Sequence, residues 1–190
     1  MKQILRRLFF YFQKVYRITI SYKKYEEIVW SDLKKLHNDA NWRYGVFESD
    51  KRIEAVFEIG DKIGTTYYYM VYDGQYHCRV KVIENFDPEL TTELFILAAH
   101  FNNLLNNGVV AVNVQSGFVE YHTKSEYIVN IIYPGELHAQ LLNHFNISKD
   151  IFWAFNKLVH ENEEPTLIIA DLMKKNNSGD AKSNGDHSSE

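Results

Sequence analysis

Eight histidines and a single cysteine are the side chains of widest chemical reach in this 190-residue sequence. The histidines are His37, His77, His100, His122, His138, His144, His160 and His187. None forms the His-Glu-x-x-His pair of zinc hydrolases, and no Cys or His pair has zinc spacing. His138 and His144 share one predicted helix, but they stand off the three- and four-residue spacing that puts two ligands on one face. His160-Glu161-Asn162-Glu163-Glu164 places a base beside carboxylates, yet its composition is that of a solvated helix end before Pro165. No Gly-x-Ser-x-Gly elbow exposes a serine nucleophile. Cys78 alternates with core-type residues and reads as a small buried hydrophobe. Gly60-Asp61-Lys62-Ile63-Gly64 sets a lysine between glycines, but it lacks the spacing and the Ser/Thr of a phosphate loop and reads as a turn. No cofactor, metal or catalytic residue is expected from these patterns. A small enzyme would have to assemble its groups from separate strands.

Chemistry of recognition has more to work with. The chain holds 13 Tyr, 12 Phe and 3 Trp, types that suit half-buried strands and protein interfaces. Tyr67, Tyr68 and Tyr69 are consecutive, with Tyr72 and Tyr76 close behind. Strand alternation puts Tyr67 and Tyr69 on one face and Tyr68 and Tyr72 on the other. With Trp42 and Tyr44, these rings are the expected partner-binding surface; the alternative is that they stiffen the sheet through cross-strand pairs.

The N-terminus carries the second candidate. Residues 1–25 contain Lys2, Arg6, Arg7, Lys14, Arg17, Lys23 and Lys24 and no acid. The net charge of −4 thus divides into +7 here and −11 elsewhere. Leu5, Leu8, Phe9, Phe12, Val15 and Tyr16 recur at spacings of three and four, which predicts an amphipathic helix over 4–17. Such a helix can lie on an anionic membrane with Leu8, Phe9 and Phe12 in the lipid boundary and Arg6, Arg7, Lys14 and Arg17 at the headgroups. It can also pack on the acidic remainder or on a dimer partner. Amphipathic helices of small proteins are mostly core elements, so packing is the first expectation. Nucleic acid is disfavoured, because the −11 outside this arm repels phosphate.

These residues need elements to hold them. A helix is predicted from about Tyr25 to His37. Strands follow at Trp42–Phe47, Arg52–Ile59, Thr65–Tyr72 and Tyr76–Ile83, with Asp73-Gly74 as a tight hairpin turn. Asp87 and Pro88 open a helix that Gly108 ends. Val109–Gln115 and Phe118–His122 form a hairpin about Ser116-Gly117, and Glu126–Tyr133 is a further apolar, β-branched segment with strand character. Helices are expected at Glu136–Phe145, after a cap at Ser148, and over 166–174. Residues 176–190 lack large apolar side chains and read as a disordered tail. The expected organisation is a basic helix in 1–23, one α+β domain over 24–175 and the tail, with an antiparallel sheet packed on helices in the order α-β-β-β-β-α-β-β-α-α. With one cysteine, no apolar run long enough to span a bilayer and no signal-type cleavage site, a cytoplasmic location is expected.

That order, with Asn85-Phe86-Asp87-Pro88-Glu89-Leu90 opening the middle helix, Phe101-Asn102-Asn103-Leu104-Leu105 near its end and the hairpin of 109–122 after it, resembles the YbjN-like family of sensory-transduction regulators. The resemblance covers residues 25–160 and excludes the basic arm. It implies the α+β fold of type III secretion chaperones and a non-catalytic, often dimeric binder that holds a client polypeptide. The sequence-level expectation is therefore a client-binding homodimer, with a membrane-tethered peripheral protein as the alternative.

Overall fold

Strict alternation of burial in the strands decides how this chain folds. The computed structural model describes residues 2–19, 22–59, 63–133 and 135–183; at 2, 3, 14, 18, 22, 23, 63 and 176–183 it describes backbone alone. Two helices come first, α1 (Lys2–Thr19) and α2 (Tyr22–Asp39), followed by β1 (Tyr44–Phe47), β2 (Arg52–Ile59), β3 (Ile63–Tyr72) and β4 (Gln75–Glu84). Then come α3 (Thr91–Leu104), β5 (Val109–Asn113), β6 (Phe118–Glu126), α4 (Tyr127–Ile132), α5 (Glu136–Glu161) and α6 (Pro165–Ser183). The fold is α+β: helices accompany an antiparallel six-stranded sheet of order β1-β2-β3-β4-β6-β5. Ile53, Ala55, Tyr67, Tyr69, Tyr76, Cys78 and Val80 are buried, while Arg52, Glu54, Tyr68, Tyr72, His77 and Arg79 between them are half-exposed. Period-2 geometry sorts them onto a closed and an open face. Asp73 (φ 51°) and Gly74 (φ 77°) make the tight turn of the β3–β4 hairpin, both in the left-handed region that such a turn requires.

The single domain expected over 24–175 resolves into two compact units. The first comprises residues 1–80 and 122–146, so it includes the basic helix; the second comprises 81–121 and 147–190. The first unit's core is aromatic. His37 lies among Trp42, Tyr44 and Tyr69, with ring centroids 5.2, 5.1 and 4.9 Å away. Phe57 joins Trp42 to Tyr67 at 5.2 Å each, and Tyr67 meets His144 and Phe145 of α5. Edge-to-face pairs of this kind add to burial. In the second unit, Leu94, Leu97, Phe101, Val110, Val119, Tyr121, Phe155 and Leu158 form the core. There the amide of Asn102 brackets β5: it donates to Val110 O at 3.0 Å and accepts from Val110 N–H at 2.7 Å, satisfying edge-strand groups that would otherwise be open to another strand.

Several sequence expectations are corrected. Trp42 precedes β1 instead of starting it. Ile63 and Gly64, expected in a turn, begin β3; residues 60–62 of that turn lie outside the described residues. Asp87 accepts from the Glu89 N–H at 3.0 Å as a cap, but it opens a 3₁₀ turn (Pro88–Leu90) before α3. β6 runs unbroken through Thr123-Lys124-Ser125. Residues 127–132 are a helix, not a strand, because Tyr127, Asn130 and Ile131 are the buried ones, a three- and four-residue spacing that apolar content alone conceals. The helices expected on either side of Ser148 are one, α5, in which Ser148 is buried mid-helix; cap-type residues end a helix only where a breaker accompanies them. α6 extends to Ser183, past the expected tail boundary at 176, and residues 184–190 lie outside the described ones.

Two outcomes follow from the aromatic core. Tyr67→Ala empties a fully buried site and should cost about 3–5 kcal/mol, whereas Tyr68→Ala on the open face should cost about 1 kcal/mol or less; urea denaturation of both variants checks the face assignment. Burial also holds two histidines neutral: it lowers His144 to about 3, with His122 adding to the effect, and lowers His37 despite the bond from His37 Nδ1 to Leu33 O. In the unfolded chain they protonate near pH 6.5, so the unfolded state binds more protons below that value and stability falls as pH falls. Between pH 6.5 and about 5, above the carboxylate range, His144 should contribute a slope approaching about 1.4 kcal/mol per pH unit, and His37 should add to it in the same direction. His144→Asn should lose one such contribution, measured as unfolding free energy against pH.

Candidate functional site

Helix α1 is amphipathic, and its apolar side faces solvent. At about 100° per residue, Ile4, Leu5, Leu8, Phe9, Tyr11, Phe12, Val15 and Tyr16 fall within an arc of about 160°. All eight are exposed, from 41 % for Val15 to 67 % for Tyr16. The opposite arc carries Phe10, Gln13 and Arg17, and these line a cleft of about 300 Å³ with Asp32, Lys35, Leu36 and Asp39 of α2 and Leu137 and His138 of α5. Arg17, 15 % exposed, donates from Nη1 to Asp32 Oδ2 at 3.2 Å. α1 also runs beside α4, whose Ile128 and Val129 are exposed. The polar arc therefore contacts the rest of the first unit while the apolar arc is left open, the reverse of a core helix.

The basic residues of this helix are mostly unneutralised. Arg17 has Asp32, but among the described residues Arg6 and Arg7 stand in no ion pair, and neither does Lys24 in the first turn of α2. The Arg6 guanidinium lies over the Phe10 ring, 5.8 Å from its centroid. The side chain of Lys14 lies outside those described. Acids further along the chain have other partners: Lys51 bonds Glu26 at 2.6 Å and Glu27 at 3.2 Å, and Lys34 bonds Glu48 at 2.8 Å.

The rings expected to form a partner surface divide. Tyr67, Tyr69 and Tyr76 are at most 2 % exposed and belong to the core, as their alternation with Tyr68 and Tyr72 requires. Burial raises the phenols of Tyr69 and Tyr76 well above their ordinary value, and likewise the Cys78 thiol, so all three stay protonated at neutral pH. Trp42 is held between His37 and Phe57. Tyr44 donates to Asn38 Oδ1 at 2.6 Å. Both rings fasten the start of β1 to the end of α2. Tyr68 and Tyr72 alone of this group stand on the open sheet face. Ile4 and Tyr11 extend the apolar arc of α1 but were not part of the expected stripe. The helical wheel was the signal that could have found them, since Ile4 falls four residues before Leu8, and Tyr11 three after it, on the same face.

Among the described residues no group of His, Cys, Asp and Glu is placed to hold a metal ion, and no helix is long and apolar enough to cross a membrane. The chain matches no protein-family model, no curated protein and no solved structure at a significant level.

Proposed function

We propose that this chain is a binding module that docks on an anionic membrane surface through the outward face of α1. The observation that carries the reading is the reversed amphipathicity: eight large apolar side chains face solvent, while the half-buried positions of the helix are the polar Gln13 and Arg17 on the opposite arc. Burying a large apolar side chain is worth roughly 1.5–3 kcal/mol, so even partial immersion of this arc yields several kcal/mol. Its breadth suits a planar boundary better than a protein groove, which takes a narrow row of anchors. Tyr11 lies at one margin of the arc and Tyr16 within about 20° of the other, where an amphipathic ring meets the headgroup level. Of the seven cations of residues 1–25, Arg17 is engaged by Asp32; the others supply attraction of about 1 kcal/mol each where they come near an anionic leaflet, and the cytoplasmic face is where such lipid lies.

A non-catalytic role is supported by where the reactive groups sit: His37, His144 and Cys78 are buried in the core and held uncharged. The proposed kinship with YbjN-like regulators rests on the order of elements and on the likeness of the segments at 85–90 and 101–105. A client chain or a second copy on the same helix is the competing occupant, and the test separates it from lipid.

The full chain should float with phosphatidylcholine–phosphatidylglycerol vesicles and not with phosphatidylcholine alone, and binding should weaken as salt rises. Phe9→Asp with Phe12→Asp removes two anchors and should weaken binding at least about a hundredfold without moving the thermal midpoint. Equal flotation of the double variant would refute the reading. So would a dimer, dissolved by the same substitutions, in a chain that ignores vesicles.

A further inference from the structure

We propose that the open sheet face of the first unit carries a binding site for a phosphate monoester, built by Tyr72, His77, Arg79 and Lys124. The observation behind it is a charge without a counterpart. Elsewhere in the first unit, partly buried cations meet carboxylates: Arg17 meets Asp32, Lys51 meets Glu26, and Arg52 meets Glu54 at 3.1 Å. Arg79 is half-buried on β4, yet among the described residues neither it nor Lys124 takes part in an ion pair. A half-buried guanidinium without an anion is unfavourable, so an arriving anion gains here what the fold itself does not supply.

The cluster around it is ordered. Tyr72 and His77 stack with centroids 4.1 Å apart and planes 2° from parallel. Arg79 donates from Nη2 to Tyr72 Oη at 3.2 Å, which leaves the Tyr72 hydroxyl proton free to donate outward. Arg79 Nε is buried and has no hydrogen-bond partner, and the same holds for His77 Nε2. β6 lies beside β4 in the sheet and brings His122 and Lys124 to this face, on positions that alternate with buried Tyr121 and Thr123. His77 is lowered from its ordinary value by burial first, then by Arg79, Lys124 and His122, against a smaller opposing effect of Asp73. The local field is therefore positive. Glu54, which lies opposite Tyr68 in the sheet, is already engaged by Arg52.

This donor set favours one class of anion. Arg79 and Lys124 supply two full positive charges, and Tyr72 and His77 add neutral donors from a second side. A carboxylate offers two oxygens and one charge. A phosphate monoester offers three acceptor oxygens and close to two charges, which matches both counts. Its arrival should also favour protonated His77, since a nearby opposite charge stabilises the charged form.

The test uses the soluble full chain without vesicles, with inorganic phosphate, glycerol 3-phosphate and a glycerophosphodiester as probes. The His77 ring signals are followed by NMR, with chloride at matched ionic strength as the control. The proposal expects saturable shifts with inorganic phosphate and the monoester, weaker binding of the diester, and a raised His77 pKa when phosphate is bound. Arg79→Gln should reduce affinity at least about tenfold. Lys124→Gln, at an exposed position whose loss cannot disturb folding appreciably, should reduce it several-fold. Phe9→Asp with Phe12→Asp should leave it unchanged, which separates this site from the membrane reading. Shifts that grow linearly, that chloride reproduces, or that survive Lys124→Gln and Arg79→Gln alike would overturn the proposal. Preference for the diester would overturn it too, pointing to a lipid headgroup instead of a free monoester.

Discussion

The closed face of the sheet sets the terms for the first unit. Tyr67, Tyr69, Tyr76, Cys78 and Val80 are buried there beside one another, and helices cover them because removing that much ring and aliphatic surface from water is strongly favourable. Packing around Tyr67 and Tyr69 draws in His37 from α2 and His144 from α5. Those histidines accept burial only as neutral bases, so the aromatic core also fixes their protonation. The same alternation leaves Tyr68, Tyr72, His77 and Arg79 on the opposite side. A single pattern in β3 and β4 thus determines which side chains hold the unit together and which remain to meet a ligand.

α1 follows a different rule. A helix usually adds its apolar arc to the core, and the gain grows with the area covered. Here the body offers α1 a polar seat instead: Asp32, Lys35 and Asp39 on one helix, His138 on another. Arg17 and Gln13 fit that seat, and the apolar arc is excluded from it by the cost of burying those charges without partners. The outward arc is therefore a consequence of what α2 presents, not of anything in α1 alone.

That dependence explains what the sequence could disclose. The helices, the four-strand meander, the Asp73-Gly74 turn and the α+β class follow from local patterns, and they were legible. The orientation of α1 was not, because periodicity shows that a helix has an apolar side but says nothing of which way the side turns. Trp42 and Tyr44 looked like surface rings because no local signal reveals that His37 sits between them. Residues 127–132 looked like a strand because Ile128, Val129, Ile131 and Ile132 are β-branched; the deciding burial of Tyr127, Asn130 and Ile131 depends on contacts such as the Tyr127 N–H bond to Gly74 O at 3.0 Å, between residues distant in sequence. The unpaired state of Arg79 is hidden for the same reason, since ion pairing is settled by which strands are neighbours.

The division of charge between the first 25 residues and the rest suggests at first an internal attraction that would fold the arm onto the body. The ion pairs argue otherwise. Arg17 is joined to Asp32, but Glu26 and Glu27, the acids that follow the arm directly, are taken by Lys51, and Glu48 by Lys34. The hydrogen bonds from Lys34 and Trp30 hold the Glu48 carboxyl below its ordinary value, so it remains charged and remains committed. Exposed pairs of this kind add little stability, yet they commit three carboxylates to lysines outside the arm, and among the described residues Arg6, Arg7 and Lys24 stand in no ion pair. Arg6 and Arg7 thus carry their charge on the same helix as the uncovered apolar arc, and the proposed docking on an anionic boundary rests on that combination.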